Sequence, residues 1–119
     1  METRPVDLVW DGAGRDIVTL LLGHPTQHYG ADVSEADDRV ILYRQLDERQ
    51  EATGEVVGVE IEDFLEFDHW DALPSVAALW QAPGKPALQL RDLLQQLQGE
   101  LRAQALTSIA ALSADPRQD

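Results

Sequence analysis

Residues 54–73, "GEVVGVEIEDFLEFDHWDAL", change rhythm halfway. Val57, Val59 and Ile61 alternate with Gly58, Glu60 and Glu62, the two-residue period of a strand with one buried face. After Asp63 the alternation stops, and Phe64, Leu65, Phe67 and Trp70 crowd among Glu66, Asp68, His69 and Asp71. Asp63 followed three residues later by Glu66 has the form of a capping box. The stretch therefore predicts a last sheet strand running into a capped helical turn, whose apolar residues close one end of the core. Gly58 inside the strand predicts a bulge or a large neighbour packed over it.

Upstream, the same period recurs. Val6, Leu8 and Trp10 alternate with Asp7 and Val9. "DGAGR" then supplies turn residues, and "DIVTLLL" reads as a second, more buried strand, so the two make a hairpin. "GHPTQHYG" is a loop bracketed by Gly23 and Gly30. "ADVSEADD" is a short edge strand and an acidic turn. "RVILYRQL" sets Val40, Leu42 and Arg44 on one side and Ile41, Tyr43 and Gln45 on the other. "DERQEATGE" is the turn that leads back into residues 54–73. Together these segments predict an antiparallel β-meander of four or five strands.

Downstream the pattern turns helical. Pro74 and Ser75 open a predicted short helix, "SVAALWQ", and "APGKP" breaks it. From Ala87 a long amphipathic helix is expected. Leu90, Leu94, Leu97 and Leu101 stand 4, 3 and 4 residues apart and draw one apolar stripe, continued by Ala105, Ile109 and Leu112. The expected class is α+β, with residues 1–71 an acidic β region and residues 72–119 a helical region packed on the sheet or on a second chain. A helix from Ala87 to Ser113 would span about 40 Å, against about 25–30 Å for a β domain of this size. It must break near Gly99, overhang, or pack on another copy. Its flanks carry Gln89, Gln95, Gln96, Gln98 and Gln104 rather than many charges, which suits a partner.

Bulk properties narrow the function. At 119 residues and 44% hydrophobic content, the chain fits one folded domain. Having no cysteine, it can form neither a disulfide scaffold nor a thiolate zinc site. Its longest apolar run, residues 17–22, is far shorter than the ~20 residues of a membrane span. "METRPVDLVWDG" lacks the features of a signal peptide, so a cytoplasmic location is expected. The net charge of −13 lies wholly in residues 1–71, where 18 acids face 5 bases; residues 72–119 hold 4 of each. Such a surface repels nucleic acid and attracts a basic protein. The acidity also serves solubility.

The segment from Trp10 to Phe64 resembles a family of small bacterial proteins, domain of unknown function 2283. The resemblance rests on the aromatic-aspartate pair Trp10-Asp11, on Asp16 before the strand "IVTLLL", on the acidic connection "GADVSEADD", on "RVILYRQL", and on the closing strand "GEVVGVEIEDF". Trp10 stands where the family usually has tyrosine, the turn "DERQEATGE" is longer, and the region after Asp71 has no counterpart. The resemblance implies a β-rich fold and a binding role of the kind played by partners of small toxins. It carries over no catalytic residue.

Two groups invite a chemical reading. Glu66, Asp68, His69 and Asp71 offer carboxylates beside a histidine, the materials of a general base or a hard metal site. Adjacent residues point to different faces, however, so the cluster equally makes a solvated acidic turn. His24 and His28 have the four-residue spacing of zinc ligands on a helix, but Pro25 and the flanking glycines favour a loop. No nucleophile or phosphate loop accompanies either group: Gly12-Ala13-Gly14 leads into a strand and lacks a downstream lysine. Trp10, Trp70 and Trp80 read as core residues or as interface anchors. The sequence thus favours a non-enzymatic binding or assembly protein without a cofactor. It is expected to associate as a homodimer through Leu90, Leu94, Leu97, Leu101 and Ile109. It is also expected to meet a basic protein, in the manner of an antitoxin-like inhibitor, through Asp37, Asp38, Glu60 and Glu62. The alternative is a small enzyme or metal protein built on residues 66–71.

Overall fold

The computed structural model describes residues 2–12, 15–22 and 29–113, with the side chains of the C-terminal helix as far as Leu106. Five segments with alternating hydrophobicity become strands: β1 (Thr3–Asp11), β2 (Ile17–Leu22), β3 (Tyr29–Val33), β4 (Val40–Leu46) and β5 (Ala52–Ile61). A sixth, β6 (Leu79–Gln81), precedes the helix α1 (Leu90–Ser113). Short 3₁₀ turns at Phe64–Glu66 and Trp70–Ala72 lie between β5 and β6. The class is α+β.

The sheet order is β3-β4-β5-β2-β1-β6, so it is not a simple meander. β5 inserts beside β2 and separates that strand from β3, its neighbour in sequence. Burial explains the order. β5 and β2 supply Val18, Leu20, Val59 and Ile61 to the core and take central positions, whereas the exposed, polar β3 takes an edge.

β6 corrects the expected helix over "SVAALWQ". Leu79–Gln81 pair in parallel with Thr3–Pro5, making the sheet mixed, and the Trp80 backbone exchanges two hydrogen bonds with Leu88. A seven-residue segment gains little from helix formation, while β1 offers an open edge. Pairing there buries Trp80 completely. The same contact holds Leu88 in a bridge, so α1 begins at Leu90 rather than Ala87.

Residues 54–73 keep the expected course with two refinements. Tyr43 pairs with Gly58, but Arg44 pairs with Val56, so Val57 is the extra residue of a bulge. One inserted residue reverses the phase: Val56, Val59 and Ile61 join the core cluster, and Val57 is buried outside it. Gly58 is also tightly enclosed. A Cβ there would lie 2.8 Å from the Leu20 carbonyl oxygen and 2.8 Å from Leu21 Cδ1.

The second refinement concerns the cap. Asp63 is left-handed (φ 52°) and its side chain caps nothing. Asp16 does that work from 49 residues away: Oδ2 accepts from the Leu65 amide at 2.8 Å, and the Asp16 carbonyl accepts from the Phe64 amide. Its Oδ1 accepts from Trp10 Nε1 at 2.9 Å, which fixes the indole over Gly12, where a Cβ would lie only 2.5 Å from the ring. Buried Gln98 of α1 donates to the carbonyls of Phe64 and Phe67, both at 2.7 Å. The first 3₁₀ turn is thereby bonded from the sheet on one side and the helix on the other.

Leu90, Leu93, Leu94, Leu97 and Leu101 are all buried against the sheet and the two phenylalanines. α1 runs through Gly99 without a break, for 24 residues or about 36 Å. Its buried positions end at Leu101 among the described side chains, and Leu106 is 68% exposed. The helix therefore does not break near Gly99, and it continues past the last of its buried leucines. No helix among the described residues is long and apolar enough to cross a membrane.

Candidate functional site

The residues singled out in the sequence scatter. His24 and His28 lie outside the described residues. Glu66 and Asp68 are exposed, and Asp71 pairs with Arg91 of α1 at 3.2 Å. His69 does not turn to its neighbours but places Nδ1 3.2 Å from Asp37 Oδ2. Among the described residues, no three His, Asp or Glu side chains are grouped to hold a metal ion. Leu90, Leu94, Leu97 and Leu101 are consumed by the protomer's own core, and the Ile109 side chain lies outside the described set.

Asp37 is likewise committed to structure. Its side chain is only 8% exposed and grips the Arg39 guanidinium through both oxygens, at 3.0 and 2.6 Å. The Arg39 side chain, its backbone amide and His69 hold the Asp37 carboxyl well below the usual carboxylate range, against the cost of burial. Arg39 in turn lies 5.0 Å over the Phe67 ring, which meets Trp70 edge to face. This cluster fastens the β3–β4 turn to the 3₁₀ turns. An acid on that turn is visible in sequence; its partner 32 residues away is not.

Asp38, Glu60 and Glu62 remain, and Glu60 opens onto the largest uncommitted feature. The sheet has two faces. One carries the core and α1, and no described element packs on the other. Strand register puts Val33, Ile41, Glu60, Thr19 and Val9 in one row across five strands. Beside it runs a second row of Ala31, Tyr43, Gly58, Leu21 and Asp7. At about 4.8 Å between strands, each row is about 19 Å long. Val9 is 63% and Val33 59% exposed, and Tyr29, 40% exposed, stands edge-on to Tyr43.

Such a face should be polar in a sheet with one wet side. Here Ile17, Leu21, Ile41 and Tyr43 are half-buried, with exposed valines at both flanks. The charged residues in its strand positions are acidic: Asp7, Asp11 and central Glu60. Glu60 Oε1 lies 3.3 Å from the Thr19 hydroxyl and 3.5 Å from that of Tyr43. Burial first, and then the neighbouring Glu60 charge, push the Tyr43 phenol up. Sequence alone holds half of this signal: the strand positions opposite the core set include the apolar Ile17, Leu21, Ile41 and Tyr43. What it does not give is the strand order that joins them into one surface.

No protein-family model, curated protein or solved structure matches the chain.

Proposed function

We propose that this protein is a non-enzymatic binding protein whose uncovered sheet face receives a basic protein. The observation that carries the reading is the row Val33–Ile41–Glu60–Thr19–Val9, apolar at its flanks and acidic at its centre. Apolar side chains gathered on an open sheet face around a charged centre suit an interaction site. The acidic excess of the first 71 residues, 18 acids against 5 bases, adds long-range steering toward a basic surface. Asp38 and Glu62 contribute to that field, while Asp37 is held by Arg39 and His69. The family resemblance over residues 10–64 points the same way, toward a partner-binding role.

Geometry favours binding over the metal or acid–base alternative, because residues 66–71 disperse into separate ion pairs and solvent. Self-association, if it uses α1, falls to the turns beyond Leu101, where Leu106 is exposed among the described side chains. The test is kinetic. Association of a basic protein recovered at low salt should slow steeply as salt rises, and should slow further when Asp38, Glu60 and Glu62 are neutralised together. An association rate indifferent to salt and to those changes would remove the proposal.

A further inference from the structure

We propose that Glu60 is the anchor of a guanidinium subsite: one arginine of the basic partner lies on the uncovered face and pairs with the Glu60 carboxylate. This rests on the reading above and names the contact within it. Three observations lead there. First, Glu60 is half-buried in the middle of the face, with Ile41 beside it in the neighbouring strand of its row. A carboxylate so placed loses water as soon as a partner covers it, and needs a cation in exchange. Second, both side-chain donors, Thr19 and Tyr43, approach Oε1. They orient the group and leave Oε2 for an incoming donor. Third, among the described residues of the face no lysine or arginine answers this charge: β1 places Thr3, Pro5, Asp7, Val9 and Asp11 there, and β2, β3 and β4 place only uncharged residues.

Arginine fits better than lysine. Its planar, weakly hydrated guanidinium tolerates apolar flanks, stacks on an aromatic ring such as Tyr43, and can meet a carboxylate through two donors. A second copy of this chain fits worse. Face-to-face pairing centred on Glu60 would set that carboxylate against its own equivalent, in a protein of net charge −13. The landing points are also spaced. Val9 and Val33 each lie two strands from Glu60, about 10 Å away on either side. On a helical partner that is about seven residues.

The probe is a helical peptide with one arginine and leucines about seven positions to either side. It is titrated into the full isotope-labelled chain and followed by amide chemical shifts, beside the same peptide with citrulline in place of arginine. Shifts should centre on the row from Val33 to Val9. E60Q should weaken the arginine peptide about tenfold and leave the citrulline peptide within about twofold. E60Q keeps an acceptor for Thr19 and Tyr43, so an unchanged free spectrum certifies its fold. Binding on the face that ignores both E60Q and citrulline overturns the guanidinium subsite and leaves the interface standing. Shifts confined to other surfaces, dimerisation through this face without peptide, or no shift at millimolar peptide overturn both.

Discussion

The two faces of the sheet are built from similar residues and meet different fates. On one, Val18, Leu20, Val40 and Ile61 are sealed under α1 and the phenylalanines of the 3₁₀ turns. On the other, Ile17, Leu21, Ile41 and Tyr43 are only half-buried, and Val9 and Val33 face solvent. The difference is charge. Glu60, Asp7 and Asp11 stand on the open face, and among the described residues the core cluster of the closed one holds no charged side chain. One helix can cover one side of a six-stranded sheet. Keeping the second side apolar makes sense when something outside the chain covers it.

That contrast can be broken most strongly on the closed face. Leu94→Asp puts an unpaired charge where exposure is 0%, and should cost more than about 4 kcal/mol. Urea titration should show no cooperative transition near the wild-type midpoint. Next comes the strand shared by both faces. Gly58→Ala drives a methyl into the Leu20 carbonyl and the Leu21 side chain, at an expected cost of about 2 kcal/mol by the same titration.

Asp37→Asn tests the cluster at the edge of the closed face, and its effect depends on pH. The folded state lowers the carboxyl's pKa from 3.8, so the stabilisation is fully present above that range and fades as pH falls through it. The variant should be about 2 kcal/mol less stable at neutral pH. The gap to wild type should stay constant down to about pH 5 and narrow below about pH 4. A gap that widens toward acid would contradict the assignment. The smallest effect belongs to the open face: Val9→Ser and Val33→Ser should each change stability by less than about 0.5 kcal/mol, because each is more than half exposed.

Local pattern announced the elements, and distant partners decided their use. Period two marks β1, β2, β4 and β5, and Gly58 forecasts the bulge at Val57. β6 escaped because its partner, β1, is more than 70 residues away, although Ala78, Trp80 and Ala82 alternate as buried residues. The leucine stripe fixed a helix and its apolar side, but periodicity cannot say whether a stripe meets its own sheet or another chain. The cap at Phe64 looked local at Asp63 and is supplied by Asp16. Of the candidate surface, Glu60 was visible as an acid between the core residues Val59 and Ile61. Its row was not, since it depends on β5 lying between β4 and β2.

Hydroxyl-radical footprinting, with and without a basic protein co-purified at low salt, tests the central claim most directly. The account predicts that Tyr29, Tyr43, Val9 and Val33 become protected together, while Leu106 and the turn at Asp38 react as before. Protection confined to the helix end around Leu106, with Tyr29 and Tyr43 unchanged, would contradict it.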